Sequence, residues 1–288
     1  MDDDGPVGAL PRYIELETSR RCNRTCEWCP NSEQPVRREQ ELMDWSLFAK
    51  VVDELASLNY TGFLANHNYN EPLLNPRMFD ELDHVRQVLP TAKPAIYTNG
   101  DVLREPMMTR ILDSGVHYLR VTRYPHRADT PATFEALHAW TRRAGLKDWQ
   151  WEQRTVRQGL ALVRHVGDTT IEIIGPDIIG TYNNRGGAVT GLPMLASPRR
   201  DPCLMTATSA SIDFRGRLKM CCCVYPDTAD HAGYVIGDLA DASFAELWNG
   251  EQMTSYRHAH ARADWSLSPA CRSCTQPLPE TRRAGTDA

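Results

Sequence analysis

The chain has 288 residues, 41% of them hydrophobic and 24% charged, with 32 basic side chains against 37 acidic ones and a formal net charge of −5. That length suits one large domain, or one domain with a small appendage. The acidic balance excludes an electrostatic nucleic-acid footprint, and no run reaches the ~18 apolar residues that a membrane span needs. The start, Met1-Asp2-Asp3-Asp4-Gly5, has neither the basic nor the apolar region of a secretory signal. The expected compartment is therefore the cytosol, where thiols stay reduced, so the nine cysteines point to metal or catalysis before disulfides.

In chain order, residues 12–18 alternate apolar and polar and predict a strand. The stretch from Cys22 to Arg38 reads as a loop, with Arg37-Arg38-Glu39-Gln40-Glu41 as a solvated charge run. Leu47, Val51, Leu55 and Leu58 predict a helix, and residues 60–65 a second strand. A helix follows over 79–88, then a strand over 94–97 that ends in the turn Asn99-Gly100. A short helix is expected over 107–112 and a strand over 116–121. Thr130-Pro131 reads as N-cap and first residue of a helix running to about Arg143. Residues 169–174 predict another strand. Strands alternating with helices argue for βα units around a parallel sheet or barrel.

From Gly186 to Pro202 periodicity is lost, which reads as a linker. Two strand-like runs, 208–214 and 218–224, flank Arg215-Gly216-Arg217, a hairpin turn. Ser243 and Glu246 form a capping box that opens a helix with Phe244, Leu247 and Trp248 on one face. The tail after Cys274 is polar and expected to fray. Trp149 and Trp151 are read as core packing. His67, His117, Arg120 and Arg123 are candidates for substrate binding or proton transfer, each set against a structural role.

Cys22, Cys26 and Cys29 put three thiols within eight residues, directly after the first predicted strand. A structural zinc site closes with four ligands and no fourth lies nearby, so zinc would need a ligand from afar. A cubane iron–sulfur cluster normally takes four thiolates, so three leave one iron open for another ligand. Cys203, Cys221, Cys222, Cys223, Cys271 and Cys274 form a second group, with Cys271 and Cys274 as a C-x2-C knuckle. Here a four-cysteine zinc ribbon is the alternative. Strand alternation would turn Cys222 to the face opposite Cys221 and Cys223.

The first group, with Trp28, resembles the C-x3-C-x-aromatic-C motif of radical S-adenosylmethionine (radical SAM) enzymes. The resemblance covers roughly residues 12–187. It implies a partial (β/α)6 barrel and a [4Fe-4S] cluster whose open iron chelates SAM. It also implies cleavage of SAM to a 5′-deoxyadenosyl radical that abstracts hydrogen from substrate. Asn70-Glu71-Pro72 resembles the family's Gly-Glu-Pro motif, with Asn70 in place of glycine. Thr98-Asn99-Gly100 resembles a recurrent turn near SAM, and Asn184 and Arg185 stand where later SAM or substrate contacts fall. The second cysteine group resembles the Twitch form of the SPASM extension. That implies a small auxiliary domain over 203–288, beyond a linker at 188–202, with one further [4Fe-4S] cluster on Cys203, Cys221, Cys271 and Cys274.

These resemblances imply a small-molecule substrate and an external one-electron reductant such as flavodoxin or ferredoxin, with no nucleic-acid or membrane partner. Three functions are weighed. The first is a dehydrogenase in natural-product (antibiotic-type) biosynthesis that oxidises a carbinol of a sugar or aminocyclitol, with the auxiliary cluster taking an electron. The second is a redox-neutral epimerase in which Cys222 or Cys223 returns hydrogen. The third is a non-enzymatic cysteine-rich metal-binding module, which an open-iron triad argues against. With the first ligand already at position 22, no leader-peptide-binding domain is expected before it, and the dehydrogenase reading is preferred.

Overall fold

The structure, a computed structural model, describes residues 9–33, 41–190, 192 and 197–276. Ten strands form one sheet: β1 (Tyr13–Leu16), β2 (Phe63–Ala65), β3 (Lys93–Thr98), β4 (Tyr118–Thr122), β5 (Glu152–Val156), β6 (Gly159–Val166), β7 (Thr169–Pro176), β8 (Ser209–Ile212), β9 (Arg217–Lys219) and β10 (Val235–Asp238). Their order is β10-β9-β8-β1-β2-β3-β4-β7-β6-β5. The six central strands, β8-β1-β2-β3-β4-β7, are parallel, and antiparallel strands extend both sides. Helices α1 (Trp45–Ser57), α2 (Met78–Val88) and α3 (Glu105–Asp113) make the first three crossovers, and α4 (Phe134–Arg143) follows β4. The fold is thus α/β with a mixed sheet.

β1 explains why the sheet has a dry face and a wet one. Ile14 and Leu16 enter a core with Phe48, Val52 and Leu55 of α1. Alternation sends Tyr13 and Glu15 the other way, into a polar network. The capping box at Ser243 and Glu246 forms as expected and starts the helix Phe244–Asn249. Phe244 and Trp248 of that helix are fully buried in the same core as α1, so the C-terminal region shares the apolar interior of the first crossover. A second core joins α2, α3, α4 and the central strands through Leu82, Ile111, Leu119, Trp140 and Ile171. Trp149 and Trp151 stack on each other beside it, as packing residues.

Four expectations need correction. The helix placed at Thr130-Pro131 begins at Phe134, because the Thr133 hydroxyl caps the Ala136 N–H. The β5–β6 hairpin went unread, since β5 is an exposed polar edge without apolar alternation. The run 218–224 is not one strand. β9 ends at Lys219 and Cys221–Cys223 turn, with the Val224 N–H on the Cys221 carbonyl, so alternation does not set the facing of these thiols. Within the expected linker, Val189 and Leu192 are buried against Trp28 and Ile178. Of the charge run at 37–41, residues 37–40 lie outside the described residues, as does the tail from 277; Glu41 pairs with Arg20.

Leu119→Ala, in the middle of the parallel sheet and fully buried, should lower unfolding free energy by about 2–5 kcal/mol in urea titrations. Leu267→Ala, half exposed, should stay within about 0.5 kcal/mol. Equal losses would contradict this core assignment.

Candidate active site

The C-terminal ends of β1, β2 and β3 open onto a cavity of about 290 Å³. Cys22, Cys26 and Cys29 line it together, on the loop after β1. That loop is tied down by charge. Arg24 forms a bidentate pair with Asp101, at 2.6 Å on both oxygens, and Asp101 also meets Arg123 at 3.2 Å. Burial pushes the Cys22 and Cys26 thiols up to about 12. Trp28 is buried beside them, and its indole N–H has no partner among the described residues.

The Asn70-Glu71-Pro72 and Thr98-Asn99-Gly100 segments turn out to be two halves of one lock. The Glu71 carboxylate accepts from the Leu73 N–H, the Thr98 hydroxyl and the Asn99 N–H, at 3.1, 2.5 and 2.7 Å. Burial raises its pKa to about 7 despite those donors. Pro72 opens the 3-10 turn that Glu71 caps. Asn70 donates to Ser19 and to the Asn66 carbonyl, bracing the β1 and β2 loops. Asn99 reaches back to Asn23 at 2.8 Å. Gly100 needs its φ of +68°, and a Cβ there would lie 2.4 Å from Val121.

Deeper in the cavity, Tyr13 bonds the His67 ring at 3.0 Å, and His67 stacks on Tyr97 at 4.3 Å. Burial, with the Arg185, Arg120 and Lys219 charges, lowers the His67 pKa to about 3, so the ring is neutral. Arg120 pairs with Glu172 at 2.9 Å and reaches Gln158 at 2.7 Å. Behind this wall, half-buried Glu15 accepts from Ser211 and Asn68, and buried Lys219 donates to Asn68 at 2.8 Å.

A second, smaller cavity of about 30 Å³ is lined by Cys203, Cys221, Cys223, Cys271 and Cys274. The knuckle is a 3-10 turn over Pro269–Ser273, closed by the Cys274 N–H on the Cys271 carbonyl. Asn184 clamps it, donating to the Ser273 carbonyl and accepting from the Thr275 N–H. None of the nine cysteines is in a disulfide. Among the described residues no three His, Cys, Asp or Glu side chains converge as a single ion requires. The thiols surround volumes instead.

Of the residues singled out in the sequence, Cys22, Cys26, Cys29, Trp28, Asn70, Glu71, Thr98, Asn99 and Arg185 line the large cavity, with His67 and Arg120. Arg185 also borders the small one. Pro72, Asn184, Cys222, His117 and Arg123 line neither. Cys222 contributes its carbonyl to the wall, and Arg123 holds the Asn99 carbonyl and Asp101. Sequence reading missed Tyr13, Tyr69, Tyr97, Tyr124 and Gln276. The polar face of β1 carried a signal for Tyr13; nothing marked Gln276.

A family model for the Radical SAM superfamily matches residues 16–167, and one for the SPASM iron–sulfur cluster-binding domain matches 203–275. The S-adenosyl-L-methionine-dependent 2-deoxy-scyllo-inosamine dehydrogenase of Niallia circulans is 27% identical, over 91% of each chain. A crystal structure of BtrN in complex with AdoMet and 2-DOIA superposes with a TM-score of 0.70 at 23% identity, covering 93% of this chain and 94% of that one. BtrN in an open conformation gives 0.63 at 20% identity, covering 96% and 94%. These superpositions speak to the fold. No helix among the described residues is long and apolar enough to cross a membrane.

The depressed His67 pKa has a pH consequence. The unfolded chain accepts a proton near 6.5 and the folded one only near 3. This contribution to stability is present above 6.5 and is lost as pH falls through that window. His67→Phe should flatten the acid limb of a thermal-unfolding series, leaving the part due to His260, whose pKa is also lowered, to about 4. An unchanged acid limb would contradict the buried, neutral ring.

Proposed function

As the chain belongs to the radical SAM superfamily, we propose that it is a dehydrogenase that oxidises a carbinol of an aminocyclitol or sugar-type small molecule to a ketone, in natural-product biosynthesis. The observation that carries this reading is the pair of thiol-lined cavities that share Arg185 and Gln276 as a common wall. Family membership implies an iron–sulfur cluster and SAM. When bound, a SAM-ligated cluster supplies a hydrogen-abstracting radical, and a second cluster supplies an electron acceptor.

Cys22, Cys26 and Cys29 would hold the first [4Fe-4S] cluster and leave one iron open to SAM. Cys203, Cys221, Cys271 and Cys274 would hold the second. The donor chemistry fits: no thiol is tied up in a disulfide, and each set shares one cavity. Trp28, Asn70, Glu71, Thr98 and Asn99 would border SAM. Pro72 and Asn184 would act indirectly, one opening the Glu71 turn and the other clamping the knuckle. His67, Tyr97, Arg120 and Gln158 line the large cavity and offer hydrogen bonds to a polyhydroxylated ring, Tyr13 holds the His67 ring, and the neutral His67 adds no charge to that pocket. Loss of a hydrogen atom, a hydroxyl proton and one electron balances CH–OH to C=O.

Five of the six parallel strands, β1, β2, β3, β4 and β7, lie within 12–187 and support reading that stretch as the wall of a partial (β/α)6 barrel, to which β8 (Ser209–Ile212) adds the sixth parallel strand beside β1. Residues 203–288 would then be a Twitch-type auxiliary domain, with 188–202 between. The enzyme would work in the cytosol with an external one-electron donor such as flavodoxin or ferredoxin.

The test is product analysis with an aminocyclitol and sugar panel. A dehydrogenase yields a ketone lighter than substrate by two hydrogens, with one SAM consumed per turnover. Cys203→Ala should cut ketone formation by about tenfold or more while SAM cleavage continues. A product of unchanged mass that carries solvent deuterium in heavy water would overturn the reading in favour of epimerisation through Cys222 or Cys223.

A further inference from the structure

Five thiols line the small cavity, one more than a cubane cluster takes. Their hydrogen-bond surroundings divide them. Donors that favour the thiolate face four of them: the Met205 N–H at Cys203, the Cys223 side chain and N–H at Cys221, the Ser268 hydroxyl at Cys271, and the Cys223 side chain with the Gln276 N–H at Cys274. Donors aimed at sulfur are what a metal-bound thiolate requires.

The Cys223 sulfur meets acceptors instead. It lies 3.5 Å from Asn183 Oδ1 and 3.7 Å from Gln276 Oε1. Amide oxygen and nitrogen are easily interchanged, so the orientation has to follow from other bonds. The Arg185 N–H donates to Asn183 Oδ1 at 2.9 Å, which identifies that atom as oxygen. Asn183 Nδ2 then donates to Gln276 Oε1 at 2.6 Å. Gln276 Nε2 points to the Met205 sulfur, at 3.9 Å. Each bond agrees with the next, and both atoms facing Cys223 are oxygens. Asn183 and Gln276 in turn line the large cavity.

We propose that Cys223 is a positioning thiol and not a cluster ligand: its single S–H, shared between the Asn183 and Gln276 amide oxygens, sets the wall between the two cavities. The inference rests on the reading of Cys203, Cys221, Cys271 and Cys274 as the auxiliary ligands. Cys223 is 5% exposed and sits beside the Cys221 and Cys274 sulfurs, so its one proton can turn from the amides to either ligand. It thereby links the hydrogen bonding of the auxiliary site to that of the substrate side.

The test uses Cys223→Ser, which keeps a donor, and Cys223→Ala, which does not, in anaerobically reconstituted enzyme. Both should keep the full iron and sulfide content of the wild type, whereas Cys203→Ala should lose the iron of one cluster. Cys223→Ala should shift the auxiliary-cluster reduction potential and its paramagnetic-resonance signal, and raise substrate KM about three- to tenfold with kcat less affected. Cys223→Ser should restore both to near wild type. Iron loss in the Cys223 variants would overturn the proposal by making that thiol a ligand. Wild-type potential and KM in Cys223→Ala would overturn the positioning role. Full iron in Cys203→Ala would instead sink the ligand assignment beneath it, so the two failures are distinguishable.

Discussion

One backbone carbonyl, that of Cys222, pins the C-terminal cysteine turn to the wall of the large cavity. The Tyr69 hydroxyl, the Asn68 amide and the Arg185 guanidinium all donate to it, at 2.9, 3.3 and 3.1 Å. Its donors come from the loop after β2 and the turn after β7, while the carbonyl belongs to the C-terminal hairpin. The Arg185 and Lys219 cations lie over the Tyr69 ring, each 5.0 Å from its centroid, and hold that phenol in place. Each hydrogen bond is worth about 1 kcal/mol net, and the charged one somewhat more. Leaving this part-buried carbonyl unmet would forfeit all three. The turn is therefore pinned at the wall, where its flanking thiols, Cys221 and Cys223, line the second cavity.

A second polar constraint builds the mouth of the large cavity. Glu71 is a carboxylate that burial pushes towards neutrality and that three donors from two loops pull back. The balance fastens the end of β2 to the end of β3. The Asn23 and Arg24 contacts with Asn99 and Asp101 then carry the cysteine loop onto the same support. Three thiols on an otherwise irregular loop thus acquire a rigid base made of strand ends.

Legibility in the sequence followed physical locality. Cys22, Cys26 and Cys29 are close in sequence, and so were readable as a group. The crossover helices and parallel strands were readable because each buries an apolar stripe of its own. The capping box at Ser243 was legible because both of its bonds are local. What could not be read depends on backbone geometry or on distant partners that the local pattern does not show. The start of α4 shifted to Thr133 because capping geometry decided between two threonines three residues apart. The exposed edge of β5 has no apolar period. Asn184 and Arg185 looked alike as neighbours in a glycine-rich turn. Only the fold shows that Arg185 reaches both cavities while Asn184 clamps the C-terminal knuckle. Cys221 and Cys223 do share a cavity while Cys222 does not, but a turn produces that outcome, not strand alternation.

On the proposed function, the arrangement would separate two tasks: an open coordination position facing the substrate, held by Cys22, Cys26 and Cys29, and an electron acceptor in the second cavity. Arg185 and Gln276, with Cys223 behind them, form the partition. The most direct measurement of this division is Mössbauer spectroscopy of enzyme reconstituted with iron-57, with and without SAM. The account predicts two cubane clusters, with about one iron in eight changing its isomer shift when SAM is added and the rest unmoved. A single cluster, or SAM-induced change at both, would contradict it.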